Sequence, residues 1–206
     1  MRARSALVLM PALSIALFGC GSGKSARDTS PQASTSSPAS TPAAAGSAPA
    51  CRAGRLTPEQ TEGPFFKAGS PERERVDQGA TGQALVLEGR VFSARCRPVA
   101  RARMEFWQAD GRGSYDNAGY RLRGHEFTDA QGRYRLTTVY PGLYTGRTRH
   151  IHVKVEPPGG RALTTQLYFP GESRNTSDGI FTPATAVSLA RGRPAWTASF
   201  DFVVAT

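Results

Sequence analysis

The chain has 206 residues, of which 39% are hydrophobic, and it carries a formal net charge of +10 at pH 7. That length allows one domain with additional segments, or two small domains. A basic balance is typical of nucleic-acid-binding or membrane-surface proteins. Here the arginines are scattered, without a long basic run or a patch interleaved with aromatic residues. We therefore predict no nucleic-acid partner and interpret the charge as a bias toward anionic ligands or envelope surfaces.

Residues 1–19 have the layout of an export signal. Arg2 and Arg4 precede an apolar stretch, residues 6–18, which is too short for a comfortable bilayer span. The stretch ends in the letters LFGC, which resemble a bacterial lipoprotein signal. That resemblance implies cleavage before Cys20 and lipidation of its thiol.

The residue after Cys20 bears on the compartment. Lipoproteins retained on the inner membrane resemble one another in having Asp at this position, whereas this chain has Gly21. We therefore predict a lipoprotein of the cell envelope, at the outer membrane, whose membrane contact is the N-terminal lipid anchor alone. The alternative is an ordinary signal peptide cut nearby, which leaves a secreted or periplasmic protein.

Residues 20–50 form the predicted linker. From residue 21 onward they are almost wholly Ser, Ala, Pro, Thr and Gly, a composition that cannot bury apolar surface and predicts disorder. A flexible chain of this length reaches roughly 30 Å. The folded domain is therefore predicted to span residues 51–206, which is ample for one substantial core.

Two cysteines, Cys51 and Cys96, lie inside that domain. In an oxidising compartment an even pair predicts a disulfide, which would join the segment entering the domain to the end of an early strand. Two buried free thiols are the alternative. Neither cysteine has a CxxC partner or a nearby histidine, so neither zinc binding nor a redox role is predicted.

Short β-type runs separated by turn residues fill the domain. Several alternate in polarity, as at Phe200, Phe202 and Val204, and the breaks carry Gly, Pro, Asp and Asn. Strands at this spacing, without long amphipathic helices, predict an all-β domain, either a β-sandwich or a barrel. The predicted strands are 85–92, 102–109, 133–140, 149–156, 162–169 and 198–205.

The stretch RTRHIHVKV, residues 147–155, contains two of the three histidines. Successive side chains of a strand point to opposite faces, so His150 and His152 share one face with Lys154. The other face is apolar and is predicted to face the core. The imidazoles then face either solvent or a site, and the alternation by itself leaves both open.

Two tyrosines upstream, Tyr115 and Tyr144, follow turn-rich segments. A phenol ordinarily titrates near pKa 10, and a strong Lewis acid is needed to hold it as phenolate at neutral pH. Two phenolates with the imidazoles of His150 and His152 form a hard, electron-rich set that suits ferric iron better than zinc or copper(I). From spacing alone the tyrosines could equally anchor loops, and the histidines could be surface residues of an edge strand.

Five longer motifs occur in a fixed order. They are TPEQTEGPFF (57–66), EFWQADGRGSYDN (105–117), RGHEFTDAQGRY (123–134), TTVYPGLYTGRTRHIHVKV (137–155) and QLYFPGE (166–172). Together they resemble the intradiol ring-cleavage dioxygenases, the family of protocatechuate and catechol dioxygenases, over roughly residues 56–172. The resemblance implies a β-sandwich, in agreement with the strand pattern.

The resemblance also implies roles for individual residues. Tyr115 and Tyr144 match the two tyrosinates of a non-haem Fe(III) site, and His150 and His152 match its paired histidines. Arg147 matches the active-site arginine that stabilises negative charge developing on the ring. The implied activity is cleavage of a catechol between its hydroxyls with dioxygen, which gives a muconate-type dicarboxylate.

Gln166 matches a glutamine near the bound catechol, and the resemblance implies that it helps to position the substrate. The chain departs from the family in having Thr148 in place of the proline of the usual Arg-Pro-x-His motif, a change expected to keep the ligands and to shift Arg147. Strand alternation is expected to direct Arg149 away from His150. His125, the third histidine, is predicted to be a loop residue and not a ligand.

Two other functions fit the sequence less well. A non-catalytic, envelope-tethered β-sandwich module could keep the fold, but such a module is expected to have lost at least one of the four ligand residues, and all four are present. A zinc hydrolase lacks a carboxylate base at suitable spacing. The identity of the catechol and homo-oligomer formation stay open.

Overall fold

The structure, a computed structural model, describes residues 51–206. The predicted signal (1–19) and linker (20–50), with the lipidation site Cys20, lie outside the described residues. These described residues contain nine strands: β1 (Ala84–Ser93), β2 (Arg103–Trp107), β3 (Arg123–Phe127), β4 (Arg133–Val139), β5 (His150–Glu156), β6 (Leu163–Tyr168), β7 (Ser188–Ala190), β8 (Trp196–Ser199) and β9 (Phe202–Val204). The helical segments of this part are two short 3-10 helices, Ser173–Thr176 and Pro183–Thr185.

The first sheet is organised around β1. Its strand order is β4-β1-β8-β7, and β9 pairs with the far end of β1. β1 is antiparallel to β4 and parallel to β8 and β9. Leu85, Leu87 and Val91 are fully buried at alternating positions of β1, so one face of this sheet supplies half of the core.

The second sheet has the order β3-β2-β5-β6 and is antiparallel throughout. Ile151, Val153 and Val155 of β5 are fully buried and join the residues of the first sheet in one hydrophobic cluster. The apolar face predicted for RTRHIHVKV is therefore the core face. Two sheets packed on one core form the predicted all-β sandwich.

Three details of the predicted strands were wrong. β3 and β7 were missed, and His125 lies within β3 and not in a loop. β3 carries Gly124 and charged residues, and its pairing with β2 compensates for weak β propensity. The run 198–205 is divided between β8 and β9, because at the break Asp201 accepts a hydrogen bond from the backbone N–H of Arg90 (2.9 Å).

The predicted disulfide is present in the structure. Cys51 and Cys96 are bonded across a sequence separation of 45, with their Cα atoms 5.7 Å apart. The bond joins the first described residue to the turn after β1, as expected. Within residues 51–206, no helix is long and apolar enough to cross a membrane.

Candidate metal centre

The outer face of the second sheet carries a row of buried polar and aromatic side chains. The strand register places Arg123 of β3 opposite Trp107 of β2, Trp107 opposite His152 of β5, and His152 opposite Gln166 of β6. All four are at most 2% exposed. Because side chains alternate along strands, His150 lies on the same face, beside Tyr168.

This face is covered by the segment 57–66. The backbone N–H of Gln60 donates to Thr164 (2.8 Å), and the carbonyl of Thr61 accepts from the Gln166 amide (2.9 Å). Phe66 packs against Trp107, with ring centroids 5.0 Å apart. The two histidines therefore face an enclosed site, which removes the surface alternative left open by the alternation pattern.

The two imidazoles point at each other through their Nε2 atoms. His150 Nδ1 lies 2.7 Å from the carbonyl of Thr148 and donates to it, which leaves Nε2 as the lone-pair acceptor. The Nε2 atoms of His150 and His152 are 3.1 Å apart. His152 Nδ1 is buried without a hydrogen-bond partner, and the ring is held by stacking on Trp107 (4.9 Å, 7°).

Tyr115 reaches the same point from the loop after β2. Its hydroxyl lies 3.4 Å from Nε2 of His150. Phe65 stacks on the Tyr115 ring (centroids 4.3 Å apart, 15° between planes) and meets Tyr144 edge-on at 5.1 Å. The two tyrosine rings are themselves edge-to-face at 5.7 Å. Tyr115 is thus brought beside the histidine pair, and Tyr144 lies against Tyr115.

The turns that carry the tyrosines contact each other backbone to backbone. A Cβ on Gly113 would lie 2.0 Å from the Leu143 carbonyl oxygen, and one on Gly142 would lie 2.2 Å from the Gly113 nitrogen. Gly113 also has φ +86, which glycine adopts without strain. The carbonyl of Asp110 accepts from the backbone N–H of Gly142 (2.7 Å) and joins the turns. Glycine at both positions therefore allows Tyr115 and Tyr144 to share one site.

Burial sets the charge state of this cluster. It lowers the pKa of His150 to about 4, although the hydrogen bond to Thr148 acts to raise that pKa. It also lowers the pKa of His152 well below its usual value. Burial also raises the pKa of the Tyr115 phenol, which the charges of Arg147 and Arg123 oppose. Without a cation, the cluster therefore consists of neutral imidazoles and a protonated Tyr115 at neutral pH.

Arg147 is fixed next to the cluster by two partners. Its Nε donates to Asp178 Oδ2 (2.9 Å), and one Nη donates to Gln166 Oε1 (2.7 Å). The Gln166 amide nitrogen is engaged by Thr61, so this side chain is held by protein contacts at both ends. Arg149 turns away, as expected, and pairs with Glu172 (3.0 Å).

Comparisons with known proteins identify the family of the chain. The family model described as Dioxygenase matches residues 61–193. The chain belongs to the intradiol dioxygenase family. Catechol 1,2-dioxygenase 2 of Acinetobacter lwoffii is 34% identical over 69% of this chain and 65% of its own length. Hydroxyquinol 1,2-dioxygenase of Nocardioides simplex is 31% identical over 62% and 52%.

A solved structure is also similar over most of the described domain. The dioxygenase domain of a dioxygenase–carbohydrate-binding protein fusion from Streptomyces sp. SirexAA-E has a TM-score of 0.72 and 48% identity, and the match covers 74% of this chain and 99% of that domain. The chain spans only about half to two thirds of the length of the curated relatives that it matches.

The donor set fits the non-haem ferric ion used by the family. Within residues 51–206 no group of three or more His, Cys, Asp or Glu side chains could hold a metal ion, so a site of that composition is absent there. The cluster instead combines the imidazoles of His150 and His152 with the phenols of Tyr115 and Tyr144. A bound cation would account for the convergence of the two Nε2 atoms on one point and would offset the burial cost of a Tyr115 phenolate.

Sequence reasoning missed several residues around this intradiol dioxygenase-type cluster. Trp107 and Phe65 orient His152 and Tyr115 through their rings, and both lie within the motifs that carry the resemblance. Asp178 lies beyond the last of those motifs. Its role depends on the return of the loop after β6 to Arg147, which no local sequence pattern indicates.

Proposed function

We propose that this protein is a non-haem ferric intradiol dioxygenase that cleaves a catechol between its two hydroxyls with dioxygen and yields a muconate-type dicarboxylate. The observation that carries the proposal is the meeting of three donor atoms. His150 Nε2 lies 3.1 Å from His152 Nε2 and 3.4 Å from the Tyr115 hydroxyl. Tyr144 lies against Tyr115 on the same side.

The protein's own residues have separate tasks in this proposal. The ligands in this proposal are His150, held by the Thr148 carbonyl, His152, held by Trp107, and Tyr115, held by Phe65. When bound, ferric iron supplies the Lewis acid that orients a catechol and draws electron density from it. Ligands fixed in advance by packing lower the cost of assembling that geometry.

Tyr144 is the proposed base. Tyr144 is partly buried and lies between the exposed residues Leu143 and Thr145, whereas the two histidines are buried and Phe65 stacks on the Tyr115 ring. It is therefore the donor that an entering catechol reaches most easily. Its phenolate oxygen would take the proton of a catechol hydroxyl, in a general-base role.

Arg147 and Gln166 are proposed to act on the ring of the substrate. The guanidinium of Arg147 would stabilise negative charge that develops as the ring loses aromaticity. Gln166 contributes through Arg147, since its Oε1 accepts from the guanidinium and its nitrogen is engaged by Thr61. Gln166 would therefore help to position the substrate indirectly, by holding Arg147.

The substrate is proposed to be a small catechol. One relative is named for catechol and another for hydroxyquinol. We therefore propose the catechols as the substrate class, and the ring substituents that this protein accepts are to be measured. Oxygen uptake by iron-loaded protein with catechol, protocatechuate and hydroxyquinol tests it directly. Consumption of one oxygen per catechol with formation of the ring-opened dicarboxylate is the expected result.

Two substitutions test the assigned site. Tyr144→Phe removes the base and His152→Ala removes a ligand, and both are expected to abolish turnover. Tyr120→Phe is the matched control, because its hydroxyl donates to the Ala68 carbonyl away from the cluster. Iron-loaded wild type should show a visible phenolate-to-iron absorption band. Wild-type turnover retained in Tyr144→Phe and His152→Ala, or protein that stays colourless with ferric ion, would overturn the assignment.

The cellular setting is part of the same proposal. Export by the signal 1–19, lipidation at Cys20 and the predicted linker up to residue 50 would hold the domain 51–206 at the cell envelope. Disulfides persist in the oxidising compartments outside the cytoplasm, and the Cys51–Cys96 bond is consistent with export. Membrane fractionation of wild type and Cys20→Ala tests it: loss of membrane association in the variant is expected, and an unchanged distribution would refute lipid anchoring.

A further inference from the structure

The loop that follows β6 holds three consecutive residues of the segment leading into β5. Glu172 accepts from Arg149, Asn175 Oδ1 accepts from the Thr148 hydroxyl (2.7 Å), and Asp178 pairs with Arg147. These three contacts hold the chain between the Tyr144 turn and the first histidine.

Asp178 is the most enclosed member of this loop. Its side chain is 2% exposed. Oδ2 accepts from Arg147 Nε and from the backbone N–H of Thr148, both at 2.9 Å, and Oδ1 accepts from the backbone N–H of Ile180 (3.1 Å). Burial alone would raise the pKa of Asp178, but these hydrogen bonds and the charge of Arg147 lower it. The carboxylate is therefore charged and fully engaged.

The same contacts leave one end of Arg147 free. Nε is used by Asp178, and one Nη by Gln166 and more weakly by the Tyr168 hydroxyl (3.4 Å). Among residues 51–206, the other Nη of Arg147 makes no hydrogen bond, and Asp178 is the carboxylate with which Arg147 forms an ion pair. A planar guanidinium held along one edge has a fixed direction for its remaining donors.

Threonine at position 148 makes part of this arrangement possible. Proline, which is usual there in related dioxygenases, has no N–H and could not donate to Asp178. Thr148 is fully buried and uses both its N–H and its hydroxyl on the loop. Thr148 thus supplies two hydrogen bonds that hold the backbone next to Arg147.

We propose that Asp178 is a positioning residue that, together with Thr148, fixes the direction of the Arg147 guanidinium so that its free donors face the reacting ring. The inference rests on the proposed dioxygenase function. It goes beyond that function because it makes the turnover rate depend on Asp178, a loop residue that is not a metal ligand and acts by orienting Arg147. Removal of the carboxylate would let the guanidinium rotate while leaving all four donor side chains in place.

The test compares Asp178→Asn with Arg147→Lys, alone and combined, in the iron-loaded enzyme. We expect Asp178→Asn to lower kcat by about 10- to 100-fold, as expected for a displacement of about 1 Å at a reacting group. KM for the catechol and the phenolate-to-iron band should stay near wild type. In the Arg147→Lys background the same substitution should change kcat by less than about twofold, because the group it positions is gone.

The matched control is Asp77→Asn. Asp77 also pairs with an arginine, Arg75, at 3.0 Å, but at the exposed surface, and its removal should leave kcat unchanged. Equal losses from Asp178→Asn in both Arg147 backgrounds, or an altered absorption band, would show a general structural role and overturn the proposal.

Crystal structures of wild type and Asp178→Asn supply a readout that does not depend on turnover. We expect the Arg147–Gln166 contact of 2.7 Å to be lost in the variant; an unmoved guanidinium would overturn the proposal. If wild type cleaves no catechol, the proposed function fails, and this comparison still decides whether Asp178 fixes Arg147. Should Asp178→Asn fail to fold, Asp178→Glu keeps the charge and displaces the carboxylate, and it should give the same changes in smaller degree; no change would again refute the inference.

Discussion

Replacement of Gly142 by alanine tests whether close contact between the two tyrosine turns creates the site. The new Cβ would lie 2.2 Å from the Gly113 nitrogen, 2.6 Å from the Gly111 carbonyl oxygen and 2.7 Å from the Arg112 carbonyl carbon. All three atoms belong to the backbone, so no side chain can rotate to relieve the overlap. Ordinary contact begins near 3.4 Å, and the turns must therefore separate by about 1 Å.

That separation sets the size of the expected effects. Overpacking of this kind costs about 1 to 3 kcal/mol, which corresponds to a fall in Tm of about 2 to 4 °C per kcal/mol for a domain of this size. A shift of about 1 Å between Tyr144 and the other donors is expected to lower kcat by about 100-fold. Catalysis should thus suffer more than stability.

The assay combines thermal unfolding with oxygen uptake on the same iron-loaded preparation. Gly192→Ala is the matched control, since its Cβ would meet only the Ala195 carbonyl oxygen at an ordinary 3.7 Å. A Gly142→Ala protein with wild-type kcat and Tm would show that the turns can move apart freely, and the account of how the tyrosines are brought together would be refuted.

Three further substitutions test the scaffold. Replacing Cys51 and Cys96 by serine should lower the unfolding free energy in urea by up to about 4 kcal/mol, given the 45-residue separation; no change would show that this bond does not constrain the unfolded chain. Burial raises the pKa of Glu126 from 4.5 to about 7, so the folded state holds the proton more tightly and stability falls as pH rises from 4.5 to 7. Relative to Glu126→Gln, wild type should lose about 1 to 3 kcal/mol across that window, at about 1.4 kcal/mol per pKa unit, and parallel pH profiles of the two proteins would contradict this. Thr148→Val removes the hydroxyl that donates to the partly buried Asn175 oxygen and should cost about 0.5 to 1.5 kcal/mol in urea unfolding; an unchanged midpoint would indicate that water replaces the hydroxyl.

The fold could be predicted where local pattern and tertiary pairing agree. β5 was predicted from strict alternation, and Ile151, Val153 and Val155 are indeed fully buried. β3 was missed, because a strand with Gly124 and several charged residues has little intrinsic preference and depends on its partner β2. The break at Phe200 and Asp201 was missed for a related reason. The polarity of the sequence goes on alternating across it, although β8 pairs with residues 85–88 of β1 and β9 with residues 91–93.

The amino-acid sequence by itself determined which chemistry was available. It supplied two histidines on one face of a strand, two tyrosines and an arginine in motifs of family-specific order, and glycines in the turns. Those features follow from residue type and spacing, which local geometry translates directly into side-chain direction.

Only the tertiary structure decided what those groups meet. The register of four strands aligned Arg123, Trp107, His152 and Gln166 in one row, and the segment 57–66 covered them. The return of the loop after β6 brought Asp178 to Arg147 across 31 residues. Contacts between distant segments depend on pairing and packing of the whole sandwich, and for that reason no window of sequence contains them.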